Sequence, residues 1–138
     1  MKKEIRWHYR FKNFSRAYLL LQEALEDIEQ LNELETEGVI KRFEYSLELA
    51  WKTMKDYLEF NGFLLVSVTP KDVIRTAYQA KLIDDVQVWI NMITDRNLMA
   101  HTYDFEKFDK VVQALREKYL LHFSNLYEKL ALECISEN

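Results

Sequence analysis

An arginine, a histidine and a tyrosine that could do chemistry together stand close in the sequence, at Arg96, His101 and Tyr103. Arginine presents a planar fork of donors that fits phosphate oxygens, and histidine can give or take a proton near neutral pH. Together Arg96 and His101 could cleave RNA: the histidine would move a proton to or from the 2′-hydroxyl or the leaving oxygen, and the arginine would stabilise charge on the phosphate. Such a reaction needs both an acid and a base. A symmetric dimer that brings two copies of His101 to one interface would complete the pair.

Arg96 interrupts an apolar pattern. In the helix predicted to precede His101, the residues on one face are Trp89, Ile93, Arg96, Ala100 and, if the helix continued, Tyr103. A guanidinium on a buried or interfacial face must pair with an acidic group or take part in binding or catalysis, because an unpaired buried charge costs several kcal/mol. His101 lies close to the predicted end of this helix. The three side chains could therefore border one concave spot where two helices meet.

A purely structural interpretation explains the same residues. Arg96 could pair with Asp95, with Asp104 or with a helix C-terminus, and His101 could cap the helix. Tyr103 could end the apolar face with its hydroxyl at the surface. On the residue types and spacing alone, we favour this structural interpretation over catalysis.

The composition indicates helices. The chain has 138 residues, of which 49% are hydrophobic and 30% charged, a balance typical of one globular domain over residues 1–138. It has only two glycines and one proline, whereas the tight turns of sheets need such residues at defined positions. We therefore expect an all-α fold. The net charge of −4 argues against a protein that coats long nucleic acids by neutralising their phosphates.

Metal, cofactor and membrane sites find no support in the sequence. A di-iron bundle would need a glutamate three residues before a histidine, and the residues at that offset are Ile5, Leu98 and Tyr119. Two glycines cannot build a glycine-rich phosphate loop, and the lone Cys134 can form no disulfide within the chain. We expect no metal and no cofactor. No apolar run approaches the roughly 18 residues of a membrane helix, and we expect a cytoplasmic protein.

Hydrophobic periodicity predicts five helices, which span about residues 13–35, 37–61, 70–81, 84–100 and 105–135. Thr69 is the predicted N-cap of the third helix and Asp104 that of the fifth, while Gly62 ends the second. Residues 63–68 are apolar, but no second strand is in view, so we expect them to pack as an ordered loop. Long helices with short connections predict an up-and-down antiparallel bundle of four long helices plus one short helix.

The first and fifth predicted helices each carry a regular apolar seam. The seam of the first helix consists of Ala17, Leu21, Ala24, Ile28 and Leu31. That of the fifth consists of Phe108, Val112, Leu115, Tyr119, His122 and Leu126. A histidine in such a seam is more often a hydrogen-bonded core residue than a catalyst, and we interpret His122 in that way.

Residues 1–12 are basic and aromatic. The basic residues are Lys2, Lys3, Arg6, Arg10 and Lys12, and they alternate with Trp7, His8, Tyr9 and Phe11. Such a segment could hold a phosphate backbone and stack a base. We give more weight to the alternative, a solvated N-terminal arm.

The spacing of Arg96, His101 and Tyr103 resembles the signature of the HEPN superfamily, and Asn97 fits the polar residue that follows the arginine. The resemblance is stronger to one branch, the nucleotidyltransferase substrate-binding proteins. The segments that carry it are residues 42–52, 69–75 and 89–103.

This resemblance implies a helical bundle that dimerises with the motif of both protomers at the interface. Related proteins act as toxins that cut RNA without metal, and a partner minimal nucleotidyltransferase silences them by adding AMP to the motif tyrosine. Carried over to this chain, Arg96 and His101 would be the catalytic pair and Tyr103 the modified side chain, with Asp95 and Asn97 in support. Adenylate would add bulk and negative charge where substrate phosphate should lie.

Three hypotheses follow from the sequence. The first is a dimeric, metal-independent endoribonuclease toxin controlled by a nucleotidyltransferase antitoxin. The second is a non-catalytic nucleotide- or substrate-binding subunit of a two-component nucleotidyltransferase, and the third is a scaffold bundle that only assembles. Within any of them, Glu44 or Glu48 of the second predicted helix could orient Arg96 across the bundle.

Overall fold

The computed structural model describes residues 5–27 and 29–137, and over these residues the chain forms helices and no strand. The helices are α1 (Arg6–Asp27), α2 (Glu33–Phe60), α3 (Pro70–Gln79), α4 (Val86–Met99), α5 (Phe105–Ala114), a π-helical turn (Leu115–Tyr119) and α6 (Leu120–Ser136). Because α5, the π-helical turn and α6 are contiguous, they correspond to the single fifth helix predicted from the sequence. The predicted all-α fold is confirmed, with α3 as the short helix.

Helix α2 lies at the centre of the bundle and packs against α1, α3, α4 and α5. It runs antiparallel to α1, since Arg10 near the start of α1 contacts Asp56 near the end of α2, and Arg42 of α2 donates to the Leu20 carbonyl of α1. The buried residues of α2 belong to the same core as those of α4, and Glu48 of α2 contacts Arg96 of α4. This position lets α2 contact the motif residues.

The predicted end of the first helix, residue 35, is wrong. Helix α1 ends at Asp27, and Asn32 caps a new helix: its side chain accepts from the Glu35 backbone, while the Glu35 carboxylate accepts from the Asn32 backbone. This capping box satisfies two donors at the start of α2. Leu31, predicted in the seam of the first helix, lies in the connection instead. Ile28, from the same predicted seam, lies outside the described residues.

The predicted N-terminal arm is also wrong over its described part. Helix α1 begins at Arg6, seven residues before the predicted start, and Trp7 and Phe11 are buried in the core. Trp7 packs edge-on against Tyr57 of α2, with ring centroids 5.1 Å apart. Burial of two aromatic side chains stabilises these turns enough to order them. Residues 1–4, with Lys2 and Lys3, lie outside the described residues.

The predicted apolar seam of the last helix differs from the structure at one position after the π-helical turn. Leu115 and Tyr119 both face the core across this turn, and the next buried side chain is Phe123 rather than the predicted His122, whereas Leu126 is buried as predicted. A π-turn accommodates one extra residue and so changes the helical register locally. His122 is therefore at the edge of the core, where its Nδ1 lies 3.9 Å from an Asp84 carboxylate oxygen.

Several predicted helix ends are confirmed. Thr69 and Asp104 are the N-caps of α3 and α5, and Gly62 follows the end of α2 with a positive φ of 83°. The loop at residues 63–68 contains no strand, as expected, and it packs only in part: Leu65 contacts the core, whereas Leu64 and Val66 are each 94% exposed. In the described part of the chain, no helix is long and apolar enough to cross a membrane.

Candidate active site

Arg96 lies on the last turn of α4, between the buried side chains of Ile93 and Met99. The sequence predicted that this arginine occupies a position in an apolar seam, and the structure places it at the border of the core, with 38% of its side chain exposed. Its guanidinium can therefore reach both a protein partner and a ligand from solvent.

Glu48 of α2 is the acidic partner of Arg96. The Arg96 Nη2 atom donates to a Glu48 carboxylate oxygen at 3.4 Å, and the same carboxylate accepts from Trp51 Nε1 at 3.1 Å and from Lys52 Nζ at 3.0 Å. Burial alone would raise the pKa of Glu48, but the hydrogen bonds from Lys52 and Trp51 and the charges of Lys52 and Arg96 outweigh it and lower that pKa. Glu48 therefore stays ionised and orients Arg96, as one sequence alternative suggested.

A pocket of about 450 Å³ opens beside this ion pair, between α2, α4 and the start of α3. Arg96, Asn97, Lys71 and the Glu48 carboxylate that pairs with Arg96 contribute polar groups to its lining, and Trp51 contributes an aromatic surface. Two cations beside an aromatic ring are suited to a phosphate that carries a base. His101 and Tyr103 do not line this pocket.

Asp95 points away from the pocket. Its carboxylate accepts a hydrogen bond of 2.5 Å from the Tyr119 hydroxyl on the π-helical turn. Burial raises the pKa of Tyr119 well above its ordinary value, and the Asp95 carboxylate adds to the effect. Asp95 thus links α4 to the last helix on the side away from the pocket, whereas Asn97 faces the pocket with Arg96.

His101 stands exposed in the turn between α4 and α5. Its backbone N–H donates to the Leu98 carbonyl at 3.1 Å, which continues the end of α4. The imidazole ring makes no hydrogen bond or ion pair within residues 5–27 and 29–137. Both ring nitrogens are consequently open to solvent, to substrate or to a second protein chain.

Tyr103 is 75% exposed and is held from both sides. Its hydroxyl donates to the Glu37 carboxylate on the first turns of α2, and its ring meets the edges of Phe105 and Phe108 at centroid distances of 5.4 and 6.0 Å. The hydrogen bond to Glu37 is the main cause that raises the pKa of Tyr103, because the carboxylate favours the protonated phenol.

Glu37 was missed by the sequence analysis. It stands eleven residues before Glu48, which is about three turns of helix, so the two carboxylates project from the same face of α2. One face of α2 thus holds Arg96 through Glu48 and Tyr103 through Glu37. The spacing of the two acids was visible in the sequence, but the contact of Glu37 with a residue 66 positions away was not.

The other titratable candidates make contacts outside this site. His8 Nε2 lies 2.8 Å from a Glu137 carboxylate oxygen, and Cys134 is half-buried, with its pKa raised by burial. No group of three or more histidine, cysteine, aspartate or glutamate side chains that could hold a metal ion occurs among the residues the structure describes.

Comparisons with known proteins add to this geometry. A family model described as nucleotidyltransferase substrate binding protein like matches residues 9–132. A Haemophilus influenzae protein named probable ribonuclease HepT is 34% identical over 96 residues, which cover 67% of this chain and 65% of that protein. The match thus spans just under two thirds of this curated relative.

Two solved structures resemble the fold. A Haemophilus influenzae protein, described as having the fold of a substrate binding domain of a nucleotidyltransferase, is 28% identical with a TM-score of 0.76, covering 88% of this chain and 98% of that one. A Thermus thermophilus protein is 30% identical with a TM-score of 0.70, covering 87% of this chain and 97% of that one.

Proposed function

Because this chain belongs to the nucleotidyltransferase substrate binding protein-like family, we propose that it is a metal-independent endoribonuclease that acts as a dimer. Family membership confirms the resemblance drawn from residues 42–52, 69–75 and 89–103. The observation that carries the proposal is the placement of Arg96, which is oriented by Glu48 and opens into a pocket, five residues before an exposed His101.

The proposed reaction is a transesterification within the RNA strand. The 2′-hydroxyl oxygen attacks the adjacent phosphorus, the bond to the 5′-oxygen breaks, and a 2′,3′-cyclic phosphate forms. A base takes the proton of the 2′-hydroxyl, and an acid gives a proton to the departing 5′-oxygen. His101 serves in one of these roles, and Arg96 stabilises the charge that builds on the non-bridging oxygens.

A dimer supplies the second proton-transfer group. One chain offers a single motif histidine, and His101 is exposed enough to meet its copy across a two-fold axis. Two copies of His101 would then act as the acid and the base of one cleavage event. The exposed turn between α4 and α5 is consequently the part of the surface that we assign to the interface.

A partner nucleotidyltransferase is proposed to silence the enzyme by AMP transfer: the Tyr103 hydroxyl oxygen attacks the α-phosphorus of ATP, pyrophosphate leaves, and the phenol proton is lost. The exposed hydroxyl of Tyr103 can be reached by such a partner, and Glu37 holds it in one place. An added adenylate carries bulk and negative charge, and it would stand close to where the RNA phosphate should bind. This chain would then be the toxin and the nucleotidyltransferase its antitoxin.

A second candidate function is a non-catalytic subunit that binds nucleotide or substrate for a nucleotidyltransferase. The pocket beside Arg96, with Lys71 and Trp51 in its lining, favours it because a nucleotide could bind there without any reaction. In this function His101 would have no chemical role, and Arg96 would serve only to hold a phosphate.

Cleavage of a short single-stranded RNA in the presence of a chelator separates the two functions. The parent protein, shown by mass to carry no adenylate on Tyr103, should produce fragments that end in cyclic phosphate. Arg96→Ala and His101→Ala should each reduce the rate by at least about a hundredfold, because the first removes the charge that stabilises the phosphate in the transition state and the second removes a proton-transfer group.

Lys107→Ala is the matched control, since Lys107 is exposed on α5 and has no part in the proposed mechanism. All variants should keep the parent's helical circular dichroism. If the unmodified parent binds RNA but does not cut it, the nuclease proposal is contradicted and the binding-subunit proposal is supported. Cleavage that survives His101→Ala would remove His101 from the mechanism.

A further inference from the structure

A groove of about 310 Å³ runs between α1 and α2 on the exposed side of that helix pair. We call it the α1–α2 groove. Its lining residues are Asn13, Arg16, Ala17 and Leu20 from α1, and Lys41, Arg42 and Tyr45 from α2. The volume is at the lower end of what a small organic group such as a nucleobase and its sugar needs.

The groove is cationic in an acidic protein. Three of its lining residues, Arg16, Lys41 and Arg42, are basic and none is acidic, whereas the whole chain has a net charge of −4. Arg42 donates to the Leu20 carbonyl at 2.9 Å. Arg16 and Lys41 are exposed and form no ion pair within the described ranges, so their charges are available to an anion.

The basic residues at the start of α1 differ in this respect. Arg6 and Arg10 both contact the buried Asp56 carboxylate of α2, at 3.8 and 2.9 Å. Their charge is thus partly neutralised within the protein. The cationic surface that can bind an anion lies further along α1, at the α1–α2 groove, and not in the first turns that the sequence analysis singled out.

The groove also offers a flat apolar surface. Tyr45 is 59% exposed and Leu20 43% exposed, and both line the cavity. A base can stack on an exposed tyrosine ring with little regard for sequence, because every base has a π-face. A phosphate-binding pair of cations beside a stacking ring is the arrangement that single-stranded nucleic acid fits.

The groove leads to the candidate active site along one face of α2. Lys41, Tyr45 and Glu48 follow one another at helical spacings of four and three residues, so they project from the same side of the helix. Glu48 is the carboxylate that holds Arg96. From Lys41 to Glu48 the distance along α2 is only about 10 Å, at 1.5 Å per residue.

We propose that the α1–α2 groove binds the single-stranded RNA substrate next to the cleavage site. The phosphates lie on Arg16 and Lys41, a base stacks on Tyr45, and the strand continues over α2 to Arg96. This proposal rests on the proposed function, because it takes RNA as the substrate of that site. It assigns these three residues to substrate binding and gives them no part in proton transfer.

The test measures binding without cleavage. In a His101→Ala background, which leaves the groove intact, a short fluorescein-labelled single-stranded RNA is titrated at several salt concentrations and its anisotropy is followed. The double variant Arg16→Glu, Lys41→Glu should raise the dissociation constant at least about tenfold and reduce the log–log salt slope by about 1.4, or about 0.7 for each phosphate that is no longer neutralised. Tyr45→Ala should weaken binding by roughly tenfold, and Tyr45→Phe should not.

The matched control is the double variant Lys110→Glu, Lys118→Glu. These two exposed lysines line a different depression, between α4 and the helix that follows it, and their reversal changes the net charge by the same amount. Affinity and salt slope that change equally in the control and in the groove variant would overturn the proposal, because the effect would then come from net charge. Unchanged affinity in the groove variant would overturn it as well.

Failure of the groove and failure of the nuclease give different results. If the parent protein cuts no RNA but the groove variant still loses RNA binding relative to the control, RNA binding in the groove is supported and the nuclease proposal is contradicted. If the parent cuts RNA while the groove variant binds RNA as tightly as the control does, the nuclease stands and the groove is overturned.

Discussion

Two acids of one helix hold the two ends of the motif. Glu48 pairs with Arg96, and Glu37 accepts the hydrogen bond of Tyr103. At this scale the sequence predicted the identity of the motif residues and offered Glu48 as a partner, since seam positions and helix faces follow from spacing. It could not reveal Glu37, because the contact depends on how the turn after α4 folds back on the start of α2.

The Tyr103 hydroxyl should titrate differently once Glu37 is neutral. Glu37→Gln removes the carboxylate that favours the protonated phenol, so the pKa of Tyr103 should fall toward its ordinary value of 10.0. Ultraviolet absorbance follows phenolate formation, and subtracting the curve of a Tyr103→Phe protein isolates this tyrosine among the eight in the chain. An unchanged curve would mean that Glu37 does not contact Tyr103 in solution.

Glu48 should contribute stability that depends on pH. Its pKa in the folded protein lies below the ordinary 4.5, so the carboxylate stabilises the fold above that value and loses this contribution as pH falls through the lowered pKa. Glu48→Gln should therefore lower the free energy of unfolding at pH about 7, by less than about 1 kcal/mol for so exposed a pair, and the loss should become smaller as the pH falls below 4.5 toward about 3. Urea unfolding at the two pH values measures the difference.

Glu44→Gln is the control for this substitution. Glu44 lies one turn earlier on α2 and forms no ion pair in the part of the chain that the structure describes. Its replacement should change stability less than that of Glu48 at neutral pH. A Glu48→Gln effect that persists undiminished in acid would show that the carboxylate's charge is not what stabilises the fold there.

At the scale of helices, the sequence predicted the helix ends that a strong local signal marks and missed the ends that only a weak signal marks. Proline after Thr69 and glycine at position 62 are decisive, because proline fits the first turn of a helix but not its interior, and few residues other than glycine suit a positive φ. The boundary between α1 and α2 was missed because the apolar spacing continues across it, and only the capping box of Asn32 and Glu35 marks the break. The π-helical turn leaves no mark in the hydrophobic pattern.

The register after the π-helical turn can be tested by substitution. Phe123 is fully buried, so Phe123→Ala should lower the free energy of unfolding by about 3 to 5 kcal/mol. His122→Ala should cost less than about 1 kcal/mol, since this side chain lies at the edge of the core beside Asp84. Denaturant unfolding of both variants gives the comparison. A larger cost for His122 than for Phe123 would contradict the placement of these two side chains.

At the scale of the whole molecule, composition was enough to predict helices. Two glycines and one proline leave too few turn residues for a sheet, and the structure contains no strand over residues 5–27 and 29–137. Composition could not, however, predict how charge is distributed over the surface. The chain has a net charge of −4, yet the groove between α1 and α2 is cationic, because basic residues from two helices come together there.

The most direct test of the nuclease compares RNA with DNA of the same sequence. Protein shown by mass to carry no adenylate on Tyr103 is incubated, with chelator present, with single strands of each kind, and the products are identified by mass. We predict that the RNA is cut into fragments that end in a 2′,3′-cyclic phosphate and that the DNA, which lacks the attacking 2′-hydroxyl, stays intact. Intact RNA, or equal cleavage of both strands, would contradict the proposed mechanism.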